Sequence, residues 1–250
     1  MLSKSQISFI KSLHHKKFRK ETQLFLVEGI KSVVEFLNSP YKIKIVYYTA
    51  DIDKKFLTLL MQNNISTDLI SQQDLQRISA LNSSTSVVAI IEMGIHTIDV
   101  AYLQGKYSLV VDGVQDPGNM GTIIRTADWF NIHQIICSEN CVDVYNPKVV
   151  QASMGSLARI PITYTDLSVM LSQVASLPVY GALLHGQAVY ETQFMEQGII
   201  LVGNEGNGIS LNLQPYITQA ITIPKFGKAE SLNVAIATSI ICSELRRPKG

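Results

Sequence analysis

The chain has 250 residues, of which 46% are apolar and 16% are charged, so it can bury the core of one large domain or of two ordinary ones. Its apolar runs are far shorter than the ~20 residues of a membrane span, and no apolar signal core opens the sequence, so we expect a cytoplasmic protein without a membrane segment. Three cysteines with no CxxC pair predict neither a disulfide framework nor a zinc ribbon, and we expect no bound metal.

Basic residues are concentrated at the start of the chain. Residues 1–95 hold 12 Lys and Arg against 8 Asp and Glu, whereas residues 96–250 hold 9 against 12. Six basic residues precede the first acid, Glu21: Lys4, Lys11, Lys16, Lys17, Arg19 and Lys20. Such a run is typical of a polyanion contact, but a solvated helix face gives the same pattern, and charge alone leaves both interpretations open.

The first 95 residues predict a small α/β unit. The stretch "TQLFLVEGIKSVVEFLNSP" gives a short strand and then a helix with Val33, Val34 and Leu37 on one face, ended by Pro40. A strand in "KIKIVYYTA", helices around 54–63 and 72–78, and a strand in "SVVAIIEM" complete the unit. The segment "GIHTIDVAYLQGK" that follows is predicted to be a linker.

From residue 107 onward, strands and helices alternate. The predicted strands cover 108–112, 132–137, 160–163, 178–183, 198–202 and 219–223. The predicted helices cover 120–130, 147–157, 166–175, 210–215 and 232–246. This alternation predicts a parallel sheet that helices cover on both faces, with ligands bound at the carboxyl ends of its strands.

Three loops that follow strands are rich in glycine and asparagine. They are "DGVQDPGNMG", in which Asn119 is predicted to cap the next helix, "LVGNEGNGIS", and "ITIPKFGKAESLN". None matches the dinucleotide-binding fingerprint or the P-loop. One glycine loop is most simply a tight turn, but three together favour a site where backbone approaches a flat ligand such as a nucleoside.

Two polar residues adjoin these loops. The helix after the first loop has a predicted core stripe of Ile123, Ile124, Ala127 and Phe130. Arg125 falls on the opposite face, near the loop, where it is either a functional group or an ordinary surface arginine. Asn233 precedes the apolar helix "VAIATSIIC", so its amide needs partners, either in the loop backbone or in a ligand.

The same three loops carry the motifs of a known family, in the family's order. The matches are Asn119-Met120-Gly121 with Arg125, then Gly203-Asn204-Glu205-Gly206 with Gly208, then Ile223-Pro224 with Ser231-Leu232-Asn233-Val234. The chain therefore resembles a SpoU-type, TrmH-like 2′-O-ribose RNA methyltransferase of the SPOUT superfamily. The stretch "KKFRKETQLFLVEGIKSVVEFL" resembles the family's N-terminal RNA-binding extension of L30e type, so the resemblance covers nearly the whole chain.

This resemblance implies an α/β-knot fold, that is, a parallel sheet whose C-terminal segment is threaded as a trefoil knot. It implies an L30e-like RNA-binding domain at 1–95, a linker at 96–107 and a methyltransferase domain at 108–250. Members of the family use S-adenosylmethionine and work as homodimers on ribosomal or transfer RNA.

The resemblance also implies roles for individual residues. The expected cofactor-binding residues are Gly203, Asn204, Gly208, Ile223, Leu232 and Asn233. The expected catalytic residues are Arg125, Asn119, Glu205 and again Asn233, with Arg125 either removing the hydroxyl proton or stabilising the developing charge. The expected RNA-binding residues are Lys16, Lys17, Arg19 and Lys20. The sequence departs from the family at Gln151, where relatives often carry arginine, and at Lys225, which often has an apolar counterpart.

The expected activity is 2′-O-ribose methylation of ribosomal RNA, most simply 23S RNA. Three alternatives stay open at this point. The first is that the substrate is transfer RNA, and the second is that the methylated group is a base. The third is that the protein is a catalytically silent RNA-binding or ribosome-assembly factor that keeps the fold.

Overall fold

The chain forms two sheets, one of four strands and one of six, in the computed structural model, which describes residues 1–80, 85–98 and 103–248. Contacts divide the chain into two units. The first unit comprises Met1–Ile95 and Asp143–Arg159, and the second comprises His96–Val142 and Ile160–Gly250. The predicted linker at 96–107 lies partly outside the described residues. The segment Asp143–Arg159 groups with the first unit, although the sequence-based boundaries assign it to the second domain.

The helices and strands follow in chain order. The α-helices are α1 (Lys4–Ser12), α2 (Lys16–Thr22), α3 (Ile30–Leu37), α4 (Lys54–Gln62), α5 (Gln72–Ile78), α6 (Pro117–Trp129), α7 (Pro147–Ala152), α8 (Leu167–Gln173) and α9 (Val234–Leu245). The strands are β1 (Leu24–Glu28), β2 (Ile43–Tyr48), β3 (Thr67–Leu69), β4 (Val87–Glu92), β5 (Tyr107–Val111), β6 (Gln134–Ser138), β7 (Ile162–Thr165), β8 (Val179–Ala188), β9 (Gly198–Val202) and β10 (Gln219–Thr222).

The first unit is built on a mixed sheet in the order β1-β4-β2-β3. Strand β4 runs antiparallel to both β1 and β2, and β3 runs parallel to β2. Helix α1 starts at Ser3 in a capping box with Gln6, which satisfies two otherwise unpaired N–H groups. In α3 the buried residues are Val33 and Phe36, whereas Val34 and Leu37 of the predicted stripe are only half-buried.

The second unit is built on an all-parallel sheet in the order β10-β8-β9-β5-β6-β7. The predicted parallel sheet is therefore confirmed. Every residue of the central strands β5 and β9 is buried, as expected for strands covered on both faces. Helices α6 and α9 pack together, joined by a 2.8 Å hydrogen bond between the hydroxyls of Thr126 and Ser239.

Three predicted elements differ most from the observed extents. The helix expected at 147–157 ends at Ala152, because Met154 and Gly155 adopt left-handed backbone angles (φ 51° and 91°) that an α-helix cannot continue. The helix expected at 210–215 is a single 3₁₀ turn, Gln214–Tyr216. Strand β8 extends five residues beyond the predicted end at 183.

The extra length of β8 comes from a shift in its pairing with β10. Gln219 and Ala220 pair with Tyr180 and Gly181, but Ile221 and Thr222 pair with Gln187 and Ala188. Residues 182–186 of β8 lie between these two pairings and bow out of register with β10. Among the described residues, no helix is long and apolar enough to cross a membrane.

Candidate active site

The second and third glycine-rich loops line one cavity of about 580 Å³ in the second unit. Its walls are formed by the bowed part of β8, the loop after β9, the end of β10 and the segment that enters α9. Five residues predicted to bind a cofactor are in the lining: Gly203, Asn204, Gly208, Ile223 and Leu232. The sixth, Asn233, lies beside Asn119.

The loop after β9 is closed on itself. The Asn204 and Gly208 backbones exchange two hydrogen bonds, of 3.2 Å and 3.0 Å, and Oδ1 of Asn204 accepts from the N–H groups of Gly206 and Asn207. Gly208 has φ +65°, which favours glycine. Asn204 therefore shapes this loop with its side-chain oxygen, and its contribution to a ligand site is through the loop that it holds.

Gly203 marks the closest approach of backbone in this loop. A Cβ atom at this position would lie 2.0 Å from the carbonyl carbon of Gly208, so no side chain fits without moving the turn. Gly113, at the end of β5, packs against the same loop, because a Cβ there would lie 2.9 Å from Nδ2 of Asn204. The first and second glycine loops thus meet, as the carboxyl ends of neighbouring parallel strands do.

Asn119 does not cap α6, so that prediction is wrong. The cap is Asp116, whose Oδ1 accepts from the Asn119 N–H at 2.8 Å, and Pro117 occupies the first helical position. Proline fits there because its missing N–H would be unpaired in any case. Since Asp116 supplies the cap, the Asn119 side chain is free to make contacts outside its own helix.

Three of the predicted catalytic side chains form a hydrogen-bonded chain. Asn233 donates from Nδ2 to Oδ1 of Asn119 at 2.9 Å, and Asn119 donates from Nδ2 to Oε1 of Glu205. Oδ1 of Asn233 accepts from the N–H groups of Ala235 and Ile236, so Asn233 also caps α9. Asn233 is exposed, and its amide has the partners that the sequence called for.

Arg125 is exposed on α6, whereas Ile123, Ile124 and Ala127 are buried, which confirms the predicted face. Phe130, expected in the core stripe, is only half-buried. Within the described part of the chain, the Arg125 guanidinium has neither a hydrogen bond nor an ion pair. Its donors are therefore available to an anion or a hydroxyl group from outside the protein.

The cavity combines apolar walls with carboxylates at its mouth. Leu183, Ile221 and Ile241 supply apolar surface, and Glu205 and Glu230 are exposed acids in the lining. Over the ranges that the structure describes, no cluster of three or more His, Cys, Asp or Glu side chains could hold a metal ion. This combination suits a flat apolar group together with a positively charged one.

Sequence reasoning missed the contribution of β8. Residues 182–185 line the cavity because they lie in the bowed stretch, and Leu184 and His185 lie beyond the predicted strand end at 183. The bow depends on pairing with β10, more than 30 residues away, and no local pattern encodes it. Gly186 is the one available signal, because a Cβ there would lie 2.6 Å from the Ala220 carbonyl oxygen.

The predicted RNA-binding residues on α2 differ in their exposure to solvent. Lys16, Lys17 and Lys20 are exposed, as an RNA contact requires. Arg19 is 1% exposed, so its assignment to RNA is wrong. Its guanidinium donates to Oδ2 of Asp143 at 3.0 and 2.6 Å and to the carbonyls of Leu13 and His14 at 2.9 and 2.8 Å. These bonds occupy four of the five N–H donors, and burial keeps the group away from a phosphate.

Comparisons with known proteins point to one family. Residues 106–243 match the model of the SpoU rRNA methylase family, and residues 4–89 match that of the MRM3-like substrate binding domain. The 23S rRNA (guanosine(2553)-2′-O)-methyltransferase RlmP of Bacillus subtilis is 31% identical over 239 residues, which is 94% of each chain.

Solved structures are similar over the same extent. A TrmH-family protein from Porphyromonas gingivalis is 40% identical with a TM-score of 0.88, covering 99% of each chain. An AdoMet-bound rRNA methyltransferase from Sinorhizobium meliloti is 30% identical with a TM-score of 0.86, covering 99% of this chain and 97% of the other. The similarity therefore includes both units.

Proposed function

The chain belongs to the SpoU rRNA methylase family, and on this premise we propose that it transfers a methyl group from S-adenosylmethionine to a ribose 2′-hydroxyl of ribosomal RNA. The observation that carries the proposal is the chain of hydrogen bonds from Asn233 through Asn119 to Glu205, at the edge of the glycine-lined cavity. It links all three sequence motifs in one arrangement that the packing of the fold alone does not require.

The cavity fits S-adenosylmethionine in size and chemistry. Its volume of about 580 Å³ lies within the ~300–1,000 Å³ of typical small-ligand sites. Gly203 keeps side chains out of the loop, so backbone N–H and C=O groups can approach an adenine ring. The carboxylates of Glu205 and Glu230 favour a ligand that carries positive charge, as the sulfonium and the amino group do.

When bound in the cavity, S-adenosylmethionine supplies an electrophilic methyl group. The residues of this chain have to bring the ribose hydroxyl into line with it and to dispose of the hydroxyl proton. A guanidinium offers N–H donors and no acceptor, so we assign Arg125 the role of holding a phosphate or the developing alkoxide, not of accepting the proton.

Glu205 is the one member of the proposed catalytic set whose side chain accepts a proton readily. Its Oε1 accepts from Asn119, which orients the carboxylate, and the other oxygen points to no hydrogen-bond donor within the described ranges. We therefore propose that Glu205 receives the hydroxyl proton, directly or through water, as the methyl group is transferred. Asn119 and Asn233 act as positioning residues for that carboxylate.

Ribosomal RNA is the proposed substrate because the Bacillus subtilis relative, which matches over 94% of each chain, is named for a 23S rRNA nucleotide. We propose that residues 1–95 bind this RNA through α2, that residues 108–250 carry the reaction, and that 96–107 link the two. Transfer RNA is the alternative substrate, and a tRNA transcript tests it.

We also propose that the C-terminal segment forms a trefoil knot and that the enzyme works as a homodimer in the cytoplasm. Support for the dimer comes from α6 and α9, which pack together yet leave Trp129 85% and Ile236 50% exposed. Apolar surface of this kind, next to the proposed site, is typical of an interface. Cys137, Cys141 and Cys242 are free thiols, as suits a reducing compartment.

The test uses the purified protein, S-adenosylmethionine with a tritiated methyl group, and transcripts of 23S rRNA and of tRNA. After alkaline hydrolysis, a 2′-O-methyl group blocks cleavage at its own nucleotide, so ribose methylation leaves the label in dinucleotides. We expect label in dinucleotides from the 23S transcript. Label in mononucleotides would identify a base as the target, and an absence of label would contradict the proposed activity.

A further inference from the structure

Helix α2 presents an aromatic ring within its run of lysines. Phe18 is 40% exposed, although phenylalanine is usually buried, and it lies between Lys17 and Lys20 on a seven-residue helix. The Nζ atom of Lys17 lies 6.0 Å from the centre of the Phe18 ring. Helix α2 therefore presents apolar and positively charged surface side by side.

The buried arginine of α2 explains why this ring is held outward. Arg19 is the one residue of α2 that is buried, and its four hydrogen bonds to Asp143, Leu13 and His14 fix the helix. Each residue of a helix is rotated by 100° from the last, so anchoring Arg19 inward sets the directions of its neighbours. Phe18 thus stays exposed on a helix that is rigidly attached.

We propose that Phe18 is a stacking platform for an unpaired base of the RNA substrate, and that Lys16, Lys17 and Lys20 hold the phosphates beside it. This inference rests on the proposed function. An aromatic ring among cations matches the chemistry of single-stranded RNA, whose bases stack on aromatic side chains while its phosphates meet lysines. A partner protein that buries Phe18 would need acids to match the lysines, but it would not need an unpaired base.

The experiment measures binding of the protein to a single-stranded oligouridylate dodecamer, whose bases are largely unstacked, that carries one 2-aminopurine and a fluorescent end label. Phe18→Ala removes the ring, Phe18→Tyr keeps it, and Met61→Ala is the matched control, since Met61 is an exposed apolar residue of α4 in the same unit. We expect Phe18→Ala to weaken binding about tenfold with an unchanged salt slope, because stacking is not electrostatic.

We expect further results if stacking and phosphate contacts act separately. Phe18→Tyr and Met61→Ala should bind as the unaltered protein does, and a duplex of the same length should bind equally to all three variants, because its bases are already stacked. The quenching of 2-aminopurine on binding should be lost in Phe18→Ala alone. Lys16→Glu with Lys17→Glu should instead make the salt dependence shallower.

Unchanged single-strand affinity in Phe18→Ala would overturn the proposal and leave the ring to a protein partner. Equal losses for single strand and duplex would also overturn it, because they would show a general defect. Failure of the stacking site and failure of the proposed function give different results. An active enzyme with an indifferent Phe18 would refute only the stacking site, whereas failure of the unaltered protein to methylate any RNA would refute the methyltransferase proposal.

Discussion

Asn233 donates a hydrogen bond from its side-chain amide to Oδ1 of Asn119 over 2.9 Å, which ties the start of α9 to the first turn of α6. The direction of this bond is fixed by its surroundings. Because Oδ1 of Asn233 already caps α9, only Nδ2 can face Asn119. Asn119 must then present its own Nδ2 to Glu205. The cap of one helix thereby sets the orientation of a carboxylate in another loop.

The two functions of Asn233 can be separated by substitution. Asn233→Asp keeps an oxygen that caps α9 but loses the donor to Asn119, so we expect stability to be preserved and methyl transfer to fall at least tenfold. Asn233→Ala loses the cap as well and should cost about 1 kcal/mol of folding stability in addition. Thermal unfolding and single-turnover methyl transfer measure the two effects.

One outcome for the two Asn233 variants would contradict this expectation. Full activity of Asn233→Asp would show that the orientation of Asn119 does not matter to the reaction, and Glu205 would lose its assigned positioning residues.

Arg125 should act on the substrate and not on the fold. Arg125→Ala should change stability by less than about 0.5 kcal/mol, because the side chain is exposed and makes no hydrogen bond or ion pair with the residues that the structure describes. Binding of S-adenosylmethionine, measured by calorimetry, should persist, while methyl transfer falls by orders of magnitude. Arg125→Lys should be nearly as inactive, since lysine keeps the charge but lacks the planar fork.

The matched control for Arg125 is Arg247→Ala, which removes an exposed arginine near the end of the chain. It should leave turnover unchanged. Near-normal turnover in Arg125→Ala would return that residue to an ordinary surface role.

Two glycines of the second glycine-rich loop, Gly203 and Gly206, differ in the space that an added side chain would have. Gly203→Ala would place a Cβ 2.0 Å from backbone, whereas the nearest atom to a Cβ at Gly206 is Oδ1 of Asn204 at 3.6 Å, an ordinary contact. We expect Gly203→Ala to weaken S-adenosylmethionine binding by more than about tenfold and Gly206→Ala by less than about threefold. Equal affinities of the two variants in calorimetry would mean that the shape of this loop does not form the cofactor site.

Arg19 should matter for stability and its lysine neighbours for RNA. Removing one partner of a buried ion pair leaves the other charge unpaired, so Arg19→Ala should lower the free energy of unfolding by about 3–5 kcal/mol. Lys20→Ala, on the same helix but exposed, should change it by less than about 0.5 kcal/mol. Urea unfolding monitors both. If Arg19→Ala kept its stability and lost RNA affinity instead, the original assignment of Arg19 to RNA would be restored.

Local patterns were sufficient to predict most elements of the second unit. Strand β9 in that unit, and helix α5 in the first unit, match their predicted ranges because apolar runs and caps mark their ends. The family resemblance assigned Asn119, Glu205 and Asn233 to one site, and their side chains do meet, although they lie up to 114 residues apart in sequence. Such contacts follow from the rule that ligand sites gather at the carboxyl ends of parallel strands.

The failures have long-range causes. Arg19 was assigned to RNA because its neighbours are lysines, but its partner Asp143 is 124 residues away and no helical period marks it. The bowed part of β8 arises from a register shift against β10, which alternation along one strand cannot reveal. Asn119 was taken for the helix cap because Asp116-Pro117-Gly118 was interpreted as a turn, but Pro117 at the first helical position makes Asp116 the cap.

We propose that this chain methylates one ribose of ribosomal RNA through Arg125 and the hydrogen-bonded chain of Asn233, Asn119 and Glu205. The most direct test maps 2′-O-methyl groups across the ribosomal RNA of the source organism with the gene deleted, and again after complementation with the unaltered gene or with Arg125→Ala. We predict that one 23S rRNA mark disappears on deletion, returns with the unaltered gene and stays absent with Arg125→Ala. An unchanged set of ribosomal marks in the deletion strain would contradict the proposed activity, and a mark restored by Arg125→Ala would contradict the role of Arg125.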